Sequence, residues 1–222
     1  MIIVHHLNDS RSQRVLWLLE ELGLDYEIKR YQRDPTTMLA PAALKAVHPL
    51  GKSPVVEDGD VRVAETGAVF EHLLDAHDAG GRLRPARGTA DGRRFTYWLH
   101  YAEGSAMPPL LLKLVFGQLP RRAPGLIRPV AKAVSTKAQN SFIDPQLKTH
   151  ADWQEAELAA TGWFAGPHFS AADIMMSFPL EAAVSRAIDR AAYPRIDRFL
   201  TAIHARPAYQ KALARGGDYA YA

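Results

Sequence analysis

Hydrophobic positions follow two different periods along this chain, and the change from one to the other divides it. Near the N-terminus, Ile2, Ile3 and Val4 form a β-branched run suited to the inside of a sheet. Val15, Leu18, Leu19 and Leu22 then recur at the spacing of one helical face and stop at Gly23, predicting a helix from about Arg11 to Leu22. Tyr26, Ile28 and Arg30 alternate as a second strand would. Pro41 to Val47 is Ala-rich and helix-forming, and the breakers of His48-Pro49-Leu50-Gly51 close it. Val55-Val56-Glu57 and Val61-Arg62-Val63 flank Asp58-Gly59 and read as a hairpin. Thr66 then heads a helix carrying Val69, Phe70, Leu73 and Leu74. The order β-α-β-α-β-β-α implies a compact α/β layer structure on a mixed four-stranded sheet.

Residues 78–88, DAGGRLRPARG, read as a linker, and helical periodicity alone follows. Tyr97, Trp98 and Tyr101 lead into MPPLLLKLVF, an apolar stretch expected to break at Pro108-Pro109, and Gln146 to Thr161 forms a further helix. In Phe169-Ser170-Ala171-Ala172-Asp173-Ile174, Ser170 and Asp173 stand at the first cap and third helical positions of a capping box, with Phe169 and Ile174 placed for a hydrophobic staple. The helix from Ala171 to about Ala187 is apolar enough to be the buried centre of its unit. The fold class expected is therefore α/β plus all-α, with one domain over 1–80 and an all-helical one over 89–222.

Composition narrows the chemistry. A hydrophobic content of 47% over 222 residues supports a real core, and the absence of cysteine excludes disulfides, thiolate metal sites and redox work by a protein thiol. A net charge of +3 is slight. The cluster Arg121, Arg122, Arg128, Lys132, Lys137 lacks interleaved aromatics and reads as a solvated face, so no nucleic-acid partner is expected. No apolar run approaches the roughly 20 residues of a membrane span, so neither a membrane partner nor a location outside the cytoplasm is expected. His5 and His6 point to opposite faces of a strand and no histidine spacing suits a metal, so no metal site is expected.

Two positions invite a functional reading beside a bland one. Ser10 sits where a strand delivers the chain to the positive end of a helix, a place to hold an anion or to donate to a thiolate, yet Ser10 and Ser12 also suit simple helix capping. Ser53-Pro54 stands at the mouth of the hairpin. A cis bond there would turn the Ser53 amide and carbonyl outward toward an extended peptide, whereas a trans proline opening an edge strand is the default.

These motifs, in this order and at these separations, together resemble the soluble glutathione transferases over essentially the whole chain: Ser10 with Arg14 four positions on, His48-Pro49-Leu50-Gly51-Lys52-Ser53-Pro54, Glu65-Thr66, and FSAAD at 169–173. The chain departs from the usual pattern in having Thr66 for serine and Ser53 for an aliphatic residue. The resemblance implies a thioredoxin-like domain followed by a helical one, a cytoplasmic homodimer, no tightly bound cofactor, and glutathione as co-substrate for attack on a small hydrophobic electrophile or peroxide. It implies a serine-type enzyme, since no tyrosine precedes Val15, with Ser10 catalytic and Ser12 the alternative. Arg14 and Pro54 would support the site, Lys52, Ser53, Glu65 and Thr66 would bind glutathione, and Tyr97, Tyr101, Met107 and Leu111 would face the electrophile. A non-catalytic glutathione-transferase-like binding subunit is the alternative function. The activation such a site performs is modest in energy: lowering a thiol from about pKa 8.5 to about 6.5 corresponds to about 2.7 kcal/mol, within reach of a hydroxyl bond and a helix N-terminus.

Overall fold

The computed structural model describes residues 1–221. Its N-terminal part runs β1 (Ile2–Leu7), α1 (Ser12–Leu22), β2 (Tyr26–Tyr31), α2 (Ala43–Val47), β3 (Val55–Asp58), β4 (Val61–Ala64) and α3 (Thr66–His77). The sheet order is β2-β1-β3-β4, with β1 parallel to β2 and antiparallel to β3. β1 is therefore central, and its run of Ile2, Val4 and Leu7 is buried as a strand covered on both faces should be. Gly23, at φ 72°, ends α1 in the left-handed conformation its sequence position predicts. The opening of α1 differs from expectation: Arg11, not Ser10, holds the cap position, and no side chain caps it in the ordinary way. The second helix is also shorter than Pro41–Val47, because its first turn begins only after the proline.

The remaining helices are α4 (Ala90–Tyr101), α5 (Met107–Arg122), α6 (Arg128–Ala138), α7 (Asp144–Thr161), α8 (Ala171–Arg186), α9 (Pro194–His204) and α10 (Pro207–Gly216). Pro108-Pro109 do not break the chain's helical course. A widened π-turn over Ala102–Ala106 joins α4 to α5, and the prolines fall in the first turn of α5, where a missing amide costs no intrahelical bond. The capping box is present at α8: Ser170 Oγ accepts the Ala172 amide at 3.3 Å and Asp173 Oδ2 accepts the Ser170 amide at 2.8 Å. Asp173 Oδ1 also takes the Phe164 amide at 2.8 Å, so one buried carboxyl orders both the helix start and the turn before it.

α1 lies between the sheet and the helices. Its residues Ser12 to Leu19 are all buried, and it packs on α10 and α8 as well as on β1 and α3. One hydrophobic core consequently runs from Val4, Leu18 and Phe70 through Trp17 to Trp98, Phe164 and Met175. The linker is held as well: Leu83 is buried, and its carbonyl accepts the Ala171 amide at the head of α8.

Candidate active site

The β1–α1 turn gathers three polar side chains that the core would otherwise exclude. Ser10, Ser12 and His6 are all buried. Ser10 Oγ lies 2.7 Å from Ser12 Oγ, which lies 2.8 Å from His6 Nδ1. Burial, with the charge of Arg30 adding to it, pushes His6 down to about 4, so the ring is neutral near pH 7 and has a single proton. The Gly216 backbone opposes that shift but does not overcome it. In the tautomer with its proton on Nε2, Nδ1 accepts from Ser12, and Ser12 in turn accepts from Ser10. By sequence His6 is one of two adjacent strand histidines on opposite faces; its connection to the serines depends on the turn bringing residue 12 back over residue 6.

Arg14 is buried one turn farther along α1 and spans to the helical part. One guanidinium nitrogen donates to the Met175 carbonyl on α8 at 2.6 Å and the other pairs with Glu103 in the π-turn. Arg11 Nε approaches the other Glu103 oxygen at 3.2 Å. Burial alone would raise the Glu103 carboxyl, but the Arg14 and Arg11 charges outweigh it and hold the group below the usual carboxylate range. Both guanidiniums also lie over the Phe178 ring, at 5.9 Å for Arg11 and 5.4 Å for Arg14.

Ser53 reaches the same turn from the neighbouring strand. Its Oγ donates to the His5 carbonyl at 2.8 Å and accepts the Leu7 amide at 3.3 Å, while Ser12 Oγ touches the Leu7 carbonyl at 3.4 Å. Leu7 is thus flanked by the two hydroxyls. The Ser53-Pro54 bond is cis, contrary to the trans default. Lys52 is exposed and Pro54 buried. Glu65 precedes α3 with its side chain exposed and its backbone at φ 74°, ψ 126°, a conformation L-residues rarely occupy. Thr66 is buried at the first position of α3, whose opening amides have no intrahelical acceptors.

The four residues expected near an electrophile do not form one surface. Tyr97 and Tyr101 stack at 5.5 Å, but the Tyr101 hydroxyl is engaged by His150 Nδ1 at 2.5 Å on α7. Burial, the main cause, pushes that hydroxyl's pKa above its ordinary value. Leu111 is exposed on α5. Met107 instead joins Leu110, Phe178 and Ala182, with Tyr219 and Tyr221 packed against them. Since Phe178 underlies the Arg11 and Arg14 guanidiniums, Met107 shares a cluster with a residue beside those two arginines. The C-terminal segment closes that side, with the Ala220 amide on Asp9 Oδ1 at 2.9 Å. Composition gives no signal for this contact, because nothing in the run Gly217 to Tyr221 marks it as more than a tail.

Residues 1–75 match the family described as "Glutathione S-transferase, N-terminal domain". Over nearly the full length, the chain is 33% identical to Glutathione S-transferase 3 of Schizosaccharomyces pombe, covering 98% of this chain and 89% of that one. It belongs to the glutathione S-transferase family. Glutathione S-transferase 1 of Saccharomyces cerevisiae is 34% identical over 99% of this chain and 98% of its own. Among solved structures, a glutathione S-transferase from Actinobacillus pleuropneumoniae superposes with a TM-score of 0.81 at 35% identity, covering all of this chain and 95% of that one. A sphingomonad glutathione S-transferase complexed with glutathione superposes at 0.72 with 27% identity, covering 97% and 98%. The thioredoxin-like N-terminal sheet and the helical remainder are thus the glutathione S-transferase fold.

Proposed function

We propose that this chain, a glutathione transferase, is of the serine type: the Ser10 hydroxyl donates a hydrogen bond to the glutathione sulfur and stabilises it as a thiolate, the thiol proton leaving to solvent, for attack on a small hydrophobic electrophile or peroxide. The observation that carries this reading is the buried Ser10 hydroxyl at the β1–α1 turn, whose proton is mobile between Ser12 and an incoming anion. The hydroxyl bond strengthens as the sulfur gains charge, so it favours the reactive form over the bound thiol. The names of the yeast relatives and the glutathione complex of the sphingomonad protein support glutathione as co-substrate.

In this reading residues 1–80 form the glutathione-binding domain and residues 89–222 supply the electrophile side. Ser53 meets the cysteinyl backbone of the tripeptide, and Lys52 meets its glycyl carboxylate. The γ-glutamyl carboxylate lies on the free amides opening α3 at Thr66, with Glu65 on the γ-glutamyl amine. Met107 lines the electrophile pocket, and Arg14 ties the two domains across it. Tyr97, Tyr101 and Leu111 remain candidates of lower standing, because the Tyr101 hydroxyl is committed within the helices and Leu111 faces outward. Ser12 is the alternative activator, being as close to the turn and fully buried.

Crystals soaked with glutathione test the assignment: the sulfur should lie within hydrogen-bond distance of Ser10 Oγ. A sulfur on Ser12 or on backbone amides alone overturns it. The protein acts as a homodimer, one subunit's first domain meeting the other's second, and a single 24.6 kDa species in sedimentation at micromolar concentration would overturn that part.

A further inference from the structure

Arg11 follows Ser10 in the chain and holds the cap position of α1, and its guanidinium reaches across to the helical part, where its carbon lies 5.9 Å from the Phe178 ring centre. Its side chain is 39% exposed, against 1% for Arg14. The two arginines differ as much in what they hold. Arg14 commits its terminal nitrogens to the Met175 carbonyl and to Glu103. Arg11 approaches Glu103 through Nε at 3.2 Å, and its guanidinium makes no hydrogen bond among the described residues. An arginine kept only to tie the two domains would use its fork of donors as Arg14 does.

Charge around that guanidinium does not balance. Glu103 is a single carboxylate serving Arg11 and Arg14, so the three together keep one positive charge in excess. Arg33 is within reach as well: burial, chiefly, and the Arg11 charge lower its pKa while Asp9 and Tyr221 oppose them. Counting Arg33 together with Asp9 leaves the same excess. Ser10 belongs to the first domain, and Met107, in the Phe178 cluster, to the second. Arg11 therefore sets a solvent-open cation with unspent donors between the sulfur end and the Met107 side.

We propose that Arg11 is an electrophilic catalytic residue: its terminal N–H groups donate to an oxygen of the electrophile that becomes negative as the sulfur attacks, and the site accordingly favours α,β-unsaturated carbonyl compounds. The inference rests on the reading that puts the glutathione sulfur at Ser10 and the electrophile beside Met107. In the step, a thiolate lone pair forms the S–C bond at the β carbon. The C=C pair shifts to join the α carbon to the carbonyl carbon, and the carbonyl pair moves onto oxygen. The enolate then takes back at its α carbon the proton that the thiol released to solvent, giving the saturated thioether. Charge grows on the oxygen as the bond forms, so donors held there stabilise the transition state more than the bound ground state. A chloride displaced from carbon accepts hydrogen bonds weakly and departs to water, so it gains less from the same donors.

The test is steady-state turnover of glutathione with benzylideneacetone, an enone, and with benzyl chloride, each read as kcat/KM for the electrophile at saturating glutathione. Arg11→Met should lower the value for the enone by about ten- to a hundredfold more than that for benzyl chloride, the range of a hydrogen bond to a charged group. The loss should fall on kcat, because the interaction is made in the transition state. Any effect of the lost cation on the sulfur is common to both electrophiles and cancels in the ratio. Arg11→Lys keeps the charge and loses the planar fork, so it should lower the ratio in the same sense by a smaller factor, and it gives the reading where the neutral variant fails to fold. Ser10→Ala should slow both electrophiles alike and leave the ratio near wild type. An idle serine and an idle arginine therefore give different results. Equal losses for the two electrophiles in Arg11→Met, or in Arg11→Lys where the first does not fold, would overturn the proposal. So would a wild type that does not turn over the enone, or an effect confined to the KM for glutathione, which would move Arg11 to the tripeptide.

Discussion

Ser10 Oγ stands 2.7 Å from Ser12 Oγ, and in the His6 tautomer whose Nδ1 accepts from Ser12 the proton between the two serines belongs to Ser10. A thiolate at the turn competes with Ser12 for that proton. Ser10→Ala should therefore raise the pKa of bound glutathione by about one unit or more, equivalent to about 1.4 kcal/mol per unit, and lower turnover by about one to two orders of magnitude with little change in affinity. Ser12→Ala removes the competing acceptor and should leave the thiol pKa near or below its wild-type value. Thiolate absorbance titrated in the complex distinguishes them. If the variants exchange behaviours, Ser12 is the activator; if neither moves the pKa, the amides of the turn are.

Arg14 should behave as a tether between domains. Arg14→Met removes the donor to Met175 and leaves the half-buried Glu103 facing an apolar side chain, at an expected cost of about 2–4 kcal/mol. Glu103→Gln added to it removes the stranded charge and should recover part of the loss. Urea denaturation of both single variants and the double variant measures the coupling, and strictly additive losses would mean that the pair does not act as a unit.

How far the sequence carries to this structure differs between the sheet, the helices and the site. The β-α-β-α-β-β-α order is legible because each element has its own period and its own stop, as at Gly23 and Asp58-Gly59. The capping box at Ser170 and Asp173 is equally local. Pro108-Pro109 mislead because a proline breaks a helix only where its amide is needed, and the π-turn before them shifts the register so that it is not. At the site, Ser10, Ser53 and Glu65 are visible as residues of motifs, whereas His6, Glu103, Phe178 and the Asp9–Ala220 contact depend on packing between segments up to 211 residues apart, for which one sequence holds no local signal. Tyr101 is a pocket candidate through the family resemblance alone, and the partner of its hydroxyl, His150, lies 49 residues away, beyond any local signal.

Glu65 occupies φ 74° with no cap bond from its side chain, a conformation costing on the order of 1–3 kcal/mol that the fold does not repay locally. Glu65→Gly should leave thermal stability equal or higher, because relief of that strain offsets the added chain entropy. Glu65→Ala keeps the strain and should melt near wild type. Both should weaken glutathione binding if the carboxylate meets the γ-glutamyl amine, and calorimetry that shows unchanged affinity in both would remove Glu65 from the site.

Asp173 makes a stability prediction with a definite sign. Its carboxyl is fully buried, and burial pushes it up to about 7 against the opposing bonds from Phe164 and Ser170. In the unfolded chain the same group ionises near about 3.9. Between those values the folded protein holds a proton that the unfolded chain has released, so stability from this residue is complete below about pH 4 and is lost as pH rises toward about 7. Above that the contribution is flat. Asp173→Asn keeps an oxygen for the amides and cannot titrate, so the gap between wild type and variant should shrink from pH 5 to pH 7 by on the order of 2 kcal/mol, the wild type falling relative to the variant. Asp173→Ala should be destabilised throughout by more than the usual cap loss of about 1 kcal/mol, because the Phe164 amide loses its partner together with the capping box. Urea melts at stepped pH give both readings. Parallel wild-type and Asn curves would show that the carboxyl is ionised in the folded protein across this range, held there against the cost of burial by the Phe164 and Ser170 amides and the Ser170 hydroxyl.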